Sequence, residues 1–153
     1  MNETIGAMSP RLRLALIAHD GRKTDLLEWA RWNRDLLARH EIWATRHTGE
    51  LVAADLGLKL HLLLPGPEGG DAQVAAMIAR GELDLVVFLW DPLATQPHET
   101  DVRSVLRLAV LHDVAIACNR RSADLIISSP LLRREDSRAP QPSVALDRKP
   151  SPV

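Results

Sequence analysis

Side chains of the kinds that move protons or hold anions fall in short clusters along this sequence: His19, Asp20 and Lys23; Thr45 and Thr48; Asp71 after Gly66, Gly69 and Gly70; and Asp91, His98 and Asp101. Lysine, threonine hydroxyls and backbone N–H groups at a helix start suit a phosphate. A carboxylate can remove a proton beside a carbonyl when neighbouring donors hold the oxyanion that forms. The set points to an anionic, carbonyl-bearing substrate. Other chemistries fit less well. The spacings of His19 with Asp20 and of His98 with Asp101 match no zinc or iron signature, and no cysteine joins them. There is no nucleophile elbow and no phosphate loop ending in Gly-Lys-Ser/Thr, which argues against a serine hydrolase or a nucleotidase. His40, His61 and His112 fall within helix or strand segments away from these clusters and are read as surface or hydrogen-bonded histidines.

A scaffold must bring the clusters to one rim, and the hydrophobic pattern contains one. Apolar runs at Leu12 to Ala18, Ile42 to Ala44, Leu58 to Leu64, Leu83 to Trp90 and Val114 to Cys118 read as strands. Between them, Lys23 to Arg39, Glu50 to Leu56, Ala72 to Arg80 and the stretch after Asp101 carry apolar residues near helical spacing. Gly57 and Gly81 stand where helix ends want glycine, and Asp71 and Asp101 stand where helix starts want a cap. Thr45 to Gly49 reads as a polar exit loop. Ser122 reads as the cap of a short last helix, Ala123 to Ser128, although Leu125 to Ile127 also suits a strand. Strands alternating with helices imply an α/β domain with a five-stranded, mainly parallel sheet covered on both faces, and such sheets bind ligands beyond the carboxyl ends of their strands. The polar clusters all leave strands at that end.

Composition bounds the rest. The chain has 153 residues, 25% of them charged, a net charge of -1 and a pI near 6.6, so it shows no overall basic footprint for nucleic acid or a membrane surface. A single cysteine, Cys118, cannot form an internal disulfide and reads as a core thiol in a reducing, cytoplasmic protein. No stretch has the length of a membrane span, and Met1 to Pro10 lacks secretory features. Pro140, Pro142, Pro150 and Pro152 punctuate a segment whose one apolar cluster is Val144 to Leu146, too little to offset its ordering entropy. The expected organisation is an N-terminal extension (1–10), one domain (11–130) and a flexible, Pro-rich tail (131–153).

In order, Ala18-His19-Asp20 with Lys23, Ala44-Thr45-x-x-Thr48-Gly49, Gly66-Pro67-x-Gly69-Gly70-Asp71-x-Gln73, Trp90-Asp91-Pro92-Leu93, Pro97-His98-x-x-Asp101-Val102 and Leu106-Arg107-Leu108 resemble the methylglyoxal synthase family over roughly Arg11 to Pro130. The resemblance implies a three-layer αβα Rossmann-like domain, a homohexamer, no metal or organic cofactor, and conversion of dihydroxyacetone phosphate to methylglyoxal and phosphate. It implies Asp71 as the base, His19 and His98 with the Gly66 N–H polarising the carbonyl, and Asp101 in proton movement. Asp20 and Asp91 would orient the histidines, while Lys23, Thr45 and Thr48 would hold the phosphate.

The chain departs from that family where phosphate binds. Its loop reads Thr45-Arg46-His47-Thr48-Gly49, where the family usually has Thr-Gly-Thr-Thr-Gly, and Pro65 stands in place of a usual serine. Arg46 would strain the backbone if the replaced glycine had positive φ, and Pro65 removes a hydroxyl and an N–H. The expectation is altered substrate affinity, with Arg46 or His47 adding donors. A non-catalytic effector-binding module, as in the large subunit of carbamoyl phosphate synthetase, and a degenerate enzyme that still assembles are the rival readings. The presence of Asp71, His98 and Asp101 together favours the enzyme.

Overall fold

Five short apolar runs pair into one sheet in the computed structural model of the protein, which describes residues 11–94 and 99–133. The strands are β1 (Arg13–Ala18), β2 (Glu41–Ala44), β3 (His61–Leu62), β4 (Leu85–Leu89) and β5 (Ala115–Ala117). Their order is β3-β2-β1-β4-β5, and every pairing is parallel. The central strands β1 and β4 are covered on both faces, which is why they are apolar almost without interruption.

The α-helices are α1 (Lys23–Trp32), α2 (Arg34–Leu37), α3 (Arg46–Leu56), α4 (Gly70–Ala79), α5 (Glu99–Leu111) and α6 (Arg120–Ile127), and short 3-10 turns cover Asp20–Arg22 and Gly66–Glu68. Strand side chains alternate between the faces. Leu14, Leu16 and Ala18 meet Leu26, Trp29 and Ala30 of α1, Val52 of α3 and Ala123 of α6. Ala15 and Ile17 meet Val74 and Ile78 of α4 and Val105 and Ala109 of α5. The result is helix, sheet, helix. The chain turns to one side of β1 for β2 and β3 and to the other for β4 and β5, and the carboxyl ends of the parallel strands gather at one rim, where ligands of such sheets bind.

Several boundaries differ from the sequence reading, each for a local reason. Thr45 to Gly49 is not a loop: Thr45 is the N-cap of α3, and Gly49 lies inside that helix because a Cβ there would collide with Leu62 and crowd Ala44. Asp71 is not a cap either. Gly69, at φ 113, starts α4, and Asp71 sits within its first turn. Asp101 likewise falls inside the first turn of α5, which begins at Glu99. Asn119 rather than Ser122 caps α6, its Oδ1 accepting the Ser122 N–H at 2.8 Å, so Leu125 to Ile127 are helical. The long helix expected from Lys23 breaks at Asn33, whose side chain donates to the Trp29 carbonyl at 3.0 Å and competes with the helical ladder. The third strand pairs only at His61 and Leu62, on the sheet edge. Cys118 is half-buried rather than core; burial pushes its thiol up and a Trp90 contact opposes that.

Pro130–Arg133 form a short 3-10 turn, and Leu132 packs against the core. The N-terminal extension and residues 134–153 of the predicted tail lie outside the described residues. No helix among the described residues is long and apolar enough to cross a membrane. Trp29 is fully buried under the sheet. Trp29→Ala is expected to cost ~3–5 kcal/mol in urea unfolding; a loss under ~1 kcal/mol would show that α1 is not seated there.

Candidate active site

Beyond the carboxyl ends of β1, β2 and β3, the end of β1, the start of α3, the exit of β3 and the start of α4 enclose a cleft of about 490 Å³. His19, Asp20, Lys23, Thr45, His47, Thr48, Pro65, Gly66, Glu68 and Asp71 all line it. Sequence positions far apart thus share one wall, because each follows the carboxyl end of a parallel strand.

Asp71 forms the floor of the cleft, with 1% of its surface exposed. It reaches that depth because the chain beside it carries no side chains. A Cβ on Gly70 would run into the Leu64 carbonyl and Thr45, and a Cβ on Gly66 would come within 3.3 Å of Asp71 Oδ1. Pro65, at φ -56, presets the turn, and its carbonyl accepts the N–H groups of Glu68 and Gly70 at 3.0 Å each. Gln73 Oε1 accepts the Leu64 N–H at 2.8 Å and ties the strand exit to α4.

The opposite wall carries hydroxyl, ammonium and amide groups. Thr45 and Thr48 are buried, and Thr48 Oγ1 donates to the Ala18 carbonyl at 3.4 Å. Among the described residues no backbone hydrogen bond engages the N–H of His47, Thr48 or Gly66. Those of His47 and Thr48 belong to the first turn of α3, where the helix dipole favours negative charge. Lys23 Nζ donates to the Ala18 carbonyl at 3.1 Å and to Asp20 Oδ1 at 2.7 Å. An ammonium has one more proton to offer.

His19 is buried and packs edge-on against Phe88, ring centroids 5.5 Å apart. Its Nδ1 accepts the backbone N–H of Asp91 at 3.0 Å, so in the neutral ring the proton is on Nε2. The Asp91 group that meets the imidazole is therefore its amide. Its carboxylate accepts the Leu93 N–H at 3.0 Å. Asp20 Oδ1 accepts from Lys23; that hydrogen bond and charge, with the nearby His47 and His19 adding to them, hold its carboxyl below the usual 3.8.

Arg46 is not among the cleft residues. Its guanidinium lies on the exposed side of α3, 3.8 Å from Glu50, and its helical backbone carries no positive-φ strain. His98 lies outside the described residues, and of Asp101 only the backbone is described, in the first turn of α5. Glu68 lines the cleft although the sequence reading gave it no role; it occupies the variable position within Gly66-Pro67-x-Gly69, and nothing local marks it. Among the described residues no group of three His, Cys, Asp or Glu side chains is placed to hold a metal ion.

Residues 25–118 match the family model described as MGS-like domain. A methylglyoxal synthase of Leptospira interrogans is 50% identical over 118 residues, which are 77% of this chain and 80% of that protein. One from Saccharophagus degradans is 41% identical over 138 residues, 90% of each chain. The crystal structure of a methylglyoxal synthase from Elizabethkingia anophelis superposes with a TM-score of 0.76 at 41% identity, covering 80% of this chain and 81% of that one.

The Asp20–Lys23 contact makes a prediction about charge. Because the folded carboxyl value is lowered, any stabilisation from the pair is present above 3.8 and fades as pH falls through the lowered value. Asp20 is exposed, so the effect on stability is small. Carboxyl titration by NMR should place Asp20 below 3.8 and raise it in Lys23→Met; identical titration in both proteins would refute the pairing.

Proposed function

The chain belongs to the methylglyoxal synthase family, and we propose that it is a phosphate-eliminating lyase converting dihydroxyacetone phosphate to methylglyoxal and inorganic phosphate. The observation that carries the residue roles is the buried Asp71 carboxylate facing, across one cleft, a wall of anion donors. The phosphate of the substrate is taken by Lys23, Thr45, Thr48 and the first-turn N–H groups of α3, with His47 at the mouth.

Asp71 removes a proton from the carbon bearing the hydroxyl, and the electron pair moves to the carbonyl oxygen to give an enediolate. His19, donating from Nε2, and the Gly66 N–H hold that developing charge. His98 and Asp101 are assigned to the same oxygens and to proton movement by the family's pattern. A proton passes from the terminal hydroxyl to the former carbonyl oxygen. The terminal oxyanion then re-forms a carbonyl, the double bond shifts, and the C–O bond to phosphate breaks with its electron pair leaving on the phosphate; the enol left behind gains a proton on carbon and loses its O–H proton to become methylglyoxal. This chemistry calls on no metal and no organic cofactor. A homohexamer follows from the family's pattern, and a reducing cytoplasm suits the single cysteine.

The test is a coupled assay for methylglyoxal. Asp71→Asn should lower kcat by about 10²–10⁴-fold with little change in KM. Binding of the keto-phosphate without turnover in the unaltered chain would instead favour the effector-binding module. The anion wall makes a second, separable prediction. His47→Ala should raise KM roughly tenfold, the worth of one hydrogen bond to a charged group, whereas Arg46→Ala should leave it within about twofold. The reverse order would mean that Arg46, not His47, reaches the phosphate.

A further inference from the structure

His19 is held at every polar point that its peptide and Nδ1 offer. Its N–H donates to the Leu89 carbonyl at 3.1 Å, its carbonyl accepts the Arg22 N–H at 2.8 Å, and Nδ1 accepts the Asp91 N–H at 3.0 Å. The ring is therefore only as well aimed as the Trp90–Asp91 peptide. That peptide is anchored through the Asp91 side chain. Oδ1 accepts the Leu93 N–H at 3.0 Å and lies 3.9 Å from the Arg22 guanidinium. Oδ2 rests against Gly21, where an added Cβ would come within 2.6 Å of it.

Gly21 is not needed for its backbone freedom. Among the described residues the glycines with positive φ are Gly57, Gly69 and Gly81, and Gly21 is not one of them. What the position demands is space for a carboxylate.

We propose that the Gly21–Arg22 turn is a positioning element for His19: it seats the Asp91 carboxylate against a bare Cα and beside a guanidinium, and so fixes the amide that keeps Nδ1 an acceptor and the ring proton on Nε2. This rests on His19 acting as a proton donor in the proposed reaction. If the Asp91 amide turns away, Nδ1 can take the proton, and Nε2 then presents a lone pair to the oxygen on which negative charge develops. The loss falls on the chemical step and leaves phosphate binding alone, because Gly21 and Arg22 line no part of the cleft.

Gly21→Ala displaces the end of a flexible side chain and no backbone, so the protein should fold. It should lower kcat about tenfold with KM within about twofold, in keeping with the sensitivity of catalysis to small misplacements. Arg22→Gln should give a smaller loss of the same kind. Imidazole nitrogen NMR should show His19 leaving the Nε2-protonated form in Gly21→Ala. In an Asp91→Ala background, which keeps the amide and removes the carboxylate, Gly21→Ala should add nothing further. Unchanged His19 resonances, or losses that multiply in the double variant, would overturn the proposal. A tautomer change without a fall in kcat would uphold the positioning and remove His19 from the reaction.

Discussion

Burying a carboxylate at the bottom of a cleft is possible here because three pieces of main chain approach one another more closely than side chains allow. Gly70 lies against the Leu64 carbonyl and the Thr45 methyl, Gly66 lies against Asp71 itself, and Gly69 turns the chain at φ 113 to start α4 between them. Place a Cβ on Gly70 and α4 must move away from β3, carrying Asp71 out of the cleft. The same contact brings Thr45, and with it the start of α3, against the start of α4. The proton abstraction proposed for Asp71 and the phosphate binding proposed at the start of α3 therefore share one steric requirement, which packing sets.

The anion wall is already half engaged before any ligand arrives. Lys23 spends donors on the Ala18 carbonyl and on Asp20, and Thr48 donates to the same carbonyl. Ala18 ends β1, so the strand terminus is the fixed point from which the cation and the hydroxyl are both held. Such anchoring lowers the entropy lost when phosphate binds, at the expense of electrostatic competition from Asp20. Because the Asp20 side chain is fully exposed, that competition is screened by water.

Much of this is legible in the sequence, for identifiable reasons. Strands β1 and β4 are buried on both faces and so advertise themselves as unbroken apolar runs; the clusters at their carboxyl ends then locate the rim. The starts of α3 and α4 are not legible, because Gly49, Gly69 and Gly70 carry the local signature of loops, while their actual reasons lie elsewhere. Gly49 answers to Leu62 in the next strand, and Gly70 to the Leu64 carbonyl. Asp91 shows a subtler limit. A sequence displays side chains, so its carboxylate suggests a partner for histidine, yet the group that meets His19 is the backbone N–H, which any residue would carry. Asn33 and Asn119 compete with or cap the helical ladder in ways that depend on which neighbouring carbonyl or N–H is open.

The altered phosphate loop is best understood from the same geometry. The replaced glycine would matter if position 46 needed positive φ, but the residue opens α3 with helical backbone, and among the described non-glycine residues only Asp113 has positive φ. Arg46 therefore costs no strain and turns outward to Glu50. His47, one residue on, is rotated toward the cleft by the 100° step of a helix and lines it. Pro65 forfeits a donor but accepts two N–H groups through its carbonyl and stiffens the turn that buries Asp71. The substitutions thus exchange small donors on the anion wall for an imidazole, while the floor of the site keeps the glycines on which its geometry depends.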